Sequence, residues 1–304
     1  MLSILIPVYN FNVVKLVTEL HRQATKTGIP FEIIILDDCS SSLLRDQNKD
    51  IGNLPDVRFY ELEKNIGRSR IRNRLAEMSV YQSLLFMDCD SEVACDNYIE
   101  KYLPYCHHEI VVCGGNIYHS DPPEDPEYQL RWLYGIHREQ KPAAIRNLNP
   151  YRSFMTNNFL ISKSVFLKIK FDETIVQYGH EDTLFGLELK KNGIKIKHID
   201  NPLYHIGLEI SMEFLKKTSS AIENLLILLK EGKIQKTDIR DIRLLRAYGM
   251  IRKYRMVKSY LAFYNLISNS VMRNLLGHNP GMFAFELYKL SIISSLIAKN
   301  KIAI

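Results

Sequence analysis

No Cys-x-x-Cys pair occurs in the 304-residue chain, and its five cysteines (Cys39, Cys89, Cys95, Cys106 and Cys113) are odd in number. That combination disfavours a disulfide frame or a zinc site and points to free thiols in a reducing compartment. No G-x-G-x-x-G follows the first apolar run and no G-x-x-x-x-G-K is present, so a dinucleotide dehydrogenase and a P-loop enzyme both lack their phosphate cradle. No stretch of about 18 uncharged apolar residues can be found, and residues 1–8 have neither the basic flank nor the apolar length of a signal peptide. The sequence therefore predicts a cytoplasmic chain that is neither exported nor membrane-spanning. Internal repeats and low-complexity tracts are missing as well.

Acidic residues are scarce in the tail. From Ile206 onward there are 16 Lys and Arg against 7 Asp and Glu, whereas residues 1–205 carry 24 against 27, so the net charge of +6 resides at the C-terminal end. Such a bias suits an anionic partner such as a membrane surface, and it equally suits a solvated helix face. No nucleic-acid partner is expected. Length and a hydrophobic content of 46% fit two modest domains or one large α/β domain with an appendage.

What is present is a repeated alternation of apolar runs and helical patterns. Residues 2–8 (LSILIPV) read as a strand, residues 13–20 as a helix, and residues 31–36 as a second strand that stops at Asp37-Asp38. A strand at 57–62, a loop and helix from Asn65 to about Met78, and a strand at 84–87 follow. This order predicts a doubly wound, mostly parallel sheet. Parallel strands put their C-terminal ends on one edge, where ligands of such sheets bind. Tyr9-Asn10, Asp37-Asp38 and the D-x-D of Asp88-Cys89-Asp90 are therefore expected to converge on one crevice. Two carboxylates at such an end repel one another unless a cation balances them, and all-oxygen ligation suits Mg or Mn held partly by a substrate's phosphates.

From residue 109 the pattern predicts strands at 110–113, 159–161 and 194–199, a short helix at 163–169 and a helix over 184–191 opened by Gly179-His180-Glu181-Asp182. The polar segment 138–152 is expected to be a lid or a surface loop. Beyond Gly207 only helical stripes remain, among them Phe214, Leu225 and Leu228, then Ile239, Ile242, Leu245 and Tyr248. The predicted organisation is an α/β domain over 1–205, in halves 1–115 and 116–205, followed by a basic helical region at 206–304.

Six motifs stand in a fixed order: PVYN at 7–10, EIIILDD ending at Asp38, N-x-G-x-x-x-x-R-N from Asn65 to Asn73, DCD at 88–90, FDE at 171–173 and G-x-E-D at 179–182. Together they make residues 1–205 resemble the inverting family 2 glycosyltransferases of the GT-A fold. The resemblance implies that 1–205 is a catalytic domain with a nucleotide-binding half at 1–115 and an acceptor half at 116–205. It implies a nucleotide diphosphate sugar as donor, a uridine nucleotide favoured, and a glycan or lipid-linked saccharide as acceptor. It implies that Pro7, Tyr9, Asn10, Asp38, Asn65, Gly67, Arg72 and Asp88 line the donor site, with Tyr9 stacked on the base and Asp38 accepting its ring N–H. It further implies that Asp90 ligates Mn or Mg, that His205 adds a metal or phosphate contact, and that Asp182 is the general base. His180 and Thr183-Leu184 depart from the common pattern, which affects acceptor details rather than the base. The rival readings are an inactive sugar-nucleotide-binding scaffold and a nucleotidyltransferase, which would want a Gly-rich basic loop where Tyr9-Asn10-Phe11-Asn12 stands. For the tail, Arg240, Arg243, Arg246, Arg252, Lys253, Arg255 and Lys258 beside the apolar stripes leave two expectations. One is peripheral attachment to a membrane; the other is packing on the catalytic domain or pairing of two subunits.

Overall fold

The computed structural model describes residues 1–175, 178–235 and 242–300. Ile239 and Arg240 lie outside the described residues. The chain falls into two compact units. One is built from Met1–Tyr118, Glu139–Val176 and Glu181–Gly207, and the other from His119–Arg138, Gln177–His180 and Leu208–Ile304.

The first half of the first unit runs β1 (Leu2–Val8), α1 (Val14–Thr27), β2 (Phe31–Asp37), α2 (Ser42–Lys49), β3 (Val57–Glu61), α3 (Arg68–Met78), β4 (Ser83–Met87) and β5 (Ser91–Val93). There follow β6 (Val111–Cys113), β7 (Asn116–Ile117), α4 (Gln129–Tyr134, in the second unit) and α5 (Ala143–Asn147). The unit closes with β8 (Asn158–Ser162), α6 (Lys163–Ile169), α7 (Glu181–Lys191), β9 (Ile196–His198) and β10 (Leu203–His205). Seven strands form one sheet in the order β3-β2-β1-β4-β8-β6-β9, all neighbours parallel except β8, which runs antiparallel to both β4 and β6.

The apolar runs are explained by burial on both faces of this sheet. Alternation along β1 sends Leu2, Ile4, Ile6 and Val8 into a core with Leu16, Val17 and Leu20 of α1, while Leu5 joins Ile71 and Leu75 of α3 on the other face. That second face holds an aromatic stack in which Phe86 lies 5.0 Å from Phe159 and Phe171 lies 4.3 Å from Phe185 between ring centroids. Each such fully buried ring contributes about 2–3 kcal/mol. Through Phe185 the stack fixes α7, and with it the turn that carries Asp182. Asn73 secures the same region: its Nδ2 donates to Phe171 O at 3.0 Å and its Oδ1 accepts from Phe171 N at 2.9 Å. The asparagine of one motif thus clamps the backbone of another 98 residues away.

A smaller sheet, ordered β5-β10-β7, sits within the same unit. Its register sets His205 opposite Ser91, the residue after Asp90.

Two segments differ from the sequence reading. Helix α7 begins at Glu181 instead of Leu184, because Gly179 (φ 97°) and His180 (φ 69°) make a left-handed turn that ends the preceding path. Carboxylates in a first turn are favoured by the helix dipole. A side chain on Gly179 would also meet Ala221, its Cβ only 2.7 Å from that residue's Cβ, so glycine is required twice over.

The segment 138–152 is not a free loop. Arg146 of α5 is buried and donates to the carbonyls of Cys113 (3.1 Å), Gly114 (2.9 Å), Ile199 (2.7 Å) and Lys141 (3.0 Å). It also reaches His198 Nδ1 at 2.8 Å, while His198 Nε2 donates to Pro150 O at 2.9 Å. Burial holds the His198 imidazole down to about 4, so the ring is neutral and its tautomer is set. Replacing Arg146 by Met strips one donor from each of four carbonyls. We expect a loss of about 2 kcal/mol, read as a lower urea midpoint; an unchanged midpoint would make the pin dispensable.

The second unit contains α4, α8 (Ser211–Lys230), α9 (Arg243–Lys253), α10 (Val257–Leu275) and α11 (Met282–Asn300). Its core joins Leu130, Phe214, Leu215, Val271, Leu275 and Phe285. Among the described residues no helix is long and apolar enough to cross a membrane.

Candidate active site

The site is built where β1, β2 and β4 end. Pro7 is the penultimate residue of β1, and Tyr9 just beyond it leaves 54% of its surface exposed. Asn10, at φ 50°, donates its N–H to Ser40 Oγ (2.8 Å) and accepts from Ser41 N (2.8 Å), which ties the β1 and β2 ends together.

Asp37 and Asp38 split their work. Asp37 turns inward and accepts from Ser40 N and Ser40 Oγ at 2.7 and 2.6 Å. Asp38 accepts from Ile66 N at 2.6 Å and Gly67 N at 3.0 Å, while Asn65 Nδ2 donates to Asp38 O at 3.1 Å. Four residues of two motifs, Asp38 and Asn65-Ile66-Gly67, therefore form one clamp that holds the loop into α3. Burial pushes the Asp38 carboxyl up, against the pull of the two N–H groups. Each carboxylate oxygen keeps a second lone pair beyond the bond it makes here.

Arg72, buried on α3, donates Nη2 to Asp88 Oδ1 at 2.6 Å and lies 5.8 Å from the Phe171 ring centroid. In the turn that follows β4, Cys89 packs against the inner core, with Asp88 before it and Asp90 after it. Burial pushes the Cys89 thiol far above its usual value, so it stays protonated. His205 Nδ1 stands 3.6 Å from Asp90 Oδ1. Behind them, Tyr118 sets its ring edge-on to His205 at 5.5 Å and gives its hydroxyl hydrogen to Glu139.

Asp90 and His205 fit a divalent cation. Two donors each about 2.1 Å from one ion and subtending 90–120° stand roughly 3.0–3.6 Å apart, and the observed 3.6 Å falls at the upper end. Gly207 leaves the space beside them open: a Cβ there would lie 2.5 Å from Asp90 Cβ and 2.7 Å from its Oδ2. Among the described residues no group of three or more His, Cys, Asp or Glu is assembled. The protein would supply two ligands and leave the remainder to substrate oxygens and water, which is how Mg-type sites on phosphates are usually completed.

Asp182 occupies the first turn of α7 and accepts from Thr183 N at 2.6 Å and Thr183 Oγ1 at 3.3 Å. Burial and the adjacent Glu181 charge push its carboxyl up to about 6, with Arg72 pulling the other way. Glu181, buried, is opposed by burial but held below its ordinary value by Arg68, whose Nη1 lies 3.4 Å away, and by Arg72. Arg72 thus acts on both the Asp88 side and the Asp182 side. Sequence reasoning gave no role to Glu181, Arg68, Gly207, Tyr118 or Glu139. The first two stand inside quoted motifs, next to Asp182 and Gly67, and Gly207 follows His205 by two residues; Tyr118 and Glu139 carry no local signal.

The profile of glycosyl transferase family 2 matches residues 3–169. Hyaluronan synthase of Pasteurella multocida is 25% identical over 239 residues, which are 67% of this chain and 24% of that protein. Chondroitin synthase of Pasteurella multocida strain Pm70 is likewise 25% identical over 240 residues, with the same coverage. The chain spans about a quarter of the length of these relatives. Among solved structures, TarS of S. aureus superposes with a TM-score of 0.52 at 18% identity, over 97% of this chain and 55% of that one. Mannosyltransferase PcManGT from Pyrobaculum calidifontis, in complex with GDP-Man and Mn2+, gives 0.57 at 9% identity, over 99% and 88%. These similarities show the GT-A fold. With more than half of its length matched by the family profile, the chain belongs to glycosyl transferase family 2.

Proposed function

We propose that this domain moves a sugar from a nucleotide diphosphate sugar, a UDP-sugar favoured, to a hydroxyl of a glycan or lipid-linked saccharide, with inversion at the anomeric carbon. The observation that carries the reading is the pair of arginines on α3, Arg72 bonded to Asp88 at 2.6 Å and Arg68 paired with Glu181, the neighbour of Asp182, at 3.4 Å. One helix thereby ties the donor-side carboxylate to the turn that carries the candidate base. The acceptor oxygen forms its bond to the anomeric carbon as the bond from that carbon to the diphosphate oxygen breaks. Its proton passes to Asp182, whose raised pKa suits that task near neutral pH. Asp38 with Asn65 and Gly67 holds the loop against which the base of the nucleotide lies, and its remaining lone pairs are the reason to favour uracil. Asp90 and His205 would hold Mn or Mg, which when bound neutralises charge on the departing diphosphate. The Mn2+ and GDP-Man bound to mannosyltransferase PcManGT support the use of a divalent ion with a nucleotide sugar on this fold.

The test is nucleotide release from a panel of UDP- and GDP-sugars with Mn2+, with and without saccharide acceptors, the product anomer being read by NMR. No release with any donor that binds would favour the inactive scaffold. A retained anomeric configuration would remove Asp182 from its role.

The pH dependence follows from the sign of the shift. A base must be ionised, so kcat/KM is expected to be full above the raised value and to fall as pH drops through about 6. Glu181→Gln removes a neighbouring negative charge and frees Arg68, both of which favour ionised Asp182. The acid limb should therefore move to lower pH, and a limb that stays in place would belong to another group.

A further inference from the structure

We propose that the corner formed by α9 and α10 is a docking surface for an anionic lipid membrane. Between Ile242 and Phe285 the sequence has seven cations (Arg243, Arg246, Arg252, Lys253, Arg255, Lys258 and Arg273) and no carboxylate. All seven are exposed. On α9, Arg243, Arg246, Met250 and Lys253 recur at intervals of three, four and three, which makes one outward stripe. The opposite side of that helix buries Leu245 and Tyr248 in the unit's own packing. The stripe runs into an exposed turn, Tyr254-Arg255-Met256, in which Arg255 adopts φ 56° and Lys253 Nζ lies 5.8 Å from the Tyr254 ring centroid. From Met256 it continues along α10 through Phe263 and Leu266, spaced seven and three residues on, with Leu266 86% and Phe263 52% exposed.

Cations alone would fit any polyanion. The interleaved Met250, Met256, Phe263 and Leu266 decide for lipid, because aliphatic side chains gain nothing from phosphate or sugar but are stabilised in the headgroup and acyl boundary. Tyr254, 68% exposed beside two cations, suits the same interface. A second copy of the chain is disfavoured, since a two-fold contact would set these exposed cations against one another. The two acids just before the stretch, Asp238 and Asp241, lie outside the described residues.

The experiment is sedimentation of the full chain with vesicles of phosphatidylcholine alone and of phosphatidylcholine with about one quarter phosphatidylglycerol. Binding is expected to the mixed vesicles only and to weaken as salt rises. Each basic residue near such a surface contributes about fivefold to partitioning, so Arg243→Gln, Arg246→Gln, Lys253→Gln and Lys258→Gln together should reduce it by roughly several hundredfold. Phe263→Ser with Leu266→Ser should reduce it at least about tenfold at unchanged charge. These side chains are solvent-facing, so thermal unfolding should hold steady, and the salt series on the unaltered chain needs no variant at all. No vesicle binding, or equal binding to neutral vesicles, overturns the proposal. A charge-dependent binding that ignores the Phe263 and Leu266 changes and is competed by heparin would make the face a site for a soluble polyanion. A salt-insensitive dimer in light scattering without vesicle binding would make it a subunit contact.

Discussion

Asp182→Asn is expected to lower transfer about 10²- to 10⁴-fold while leaving the fold and donor binding in place. The change keeps the side-chain shape, and the amide oxygen can still accept from Thr183 N, the shortest bond the carboxylate makes. It removes one of two adjacent carboxylates whose charges oppose each other, so no stability loss is expected from electrostatics. What disappears is the ability to take a proton from the acceptor. The loss should fall on kcat, with the dissociation constant of the nucleotide sugar unaltered and the unfolding midpoint unmoved. Asp182→Glu, which retains the acid but lengthens it by a methylene, should recover only part of the rate. Near-normal turnover of the Asn variant would transfer the role to another group, with Glu181 the nearest carboxylate.

Much of this arrangement is legible in the sequence because local and tertiary rules agree there. Apolar runs that halt on Asp37-Asp38 and Asp88-Cys89-Asp90 mark buried strands with open ends, and β2 and β4 end at those places. The antiparallel insertion of β8 between β4 and β6 leaves no such mark, since the apolar run Phe159-Leu160-Ile161 reads the same whichever way the strand runs. Helix α7 was read three residues short because periodicity begins with its first buried apolar residue, Leu184, whereas the backbone turns at Gly179 and His180. Arg146 is hidden in a polar segment for a similar reason: burial of a cation depends on carbonyls from two other stretches, Cys113-Gly114 and Ile199, which no window of sequence contains. The Arg68–Glu181 pair spans 113 residues and is equally invisible locally. On α9 the pattern was readable, since the apolar stripe predicted from Leu245 and Tyr248 is the buried one.

Asp90→Ala is expected to weaken Mn2+-dependent binding of a nucleotide diphosphate by at least about 10²-fold, because Asp90 is one of the two side chains proposed to hold the ion, 3.6 Å from His205. Calorimetry of UDP with and without Mn2+ reads this directly and needs no acceptor. Gly207→Ala provides a second, independent reading of the same pocket. Gly207 does not adopt a left-handed backbone, so alanine costs little in conformation there. Its methyl group would nevertheless stand 2.5 Å from Asp90 Cβ, a near-backbone atom with little room to give. The carboxylate must swing aside, and the distance to His205 must change with it. Gly207→Ala should therefore lose about tenfold or more in Mn2+-dependent affinity while the metal-independent part of UDP binding, carried by Tyr9 and the Asp38 clamp, stays. In an Asp90→Ala background the same glycine change should cost no further Mn2+-dependent affinity, since the carboxylate it displaces is already gone even though the Cβ it presses on remains. Additive losses in the double variant would mean that Gly207 acts elsewhere. Equal UDP affinity with and without Mn2+ in the unaltered chain would remove the ion from the site altogether.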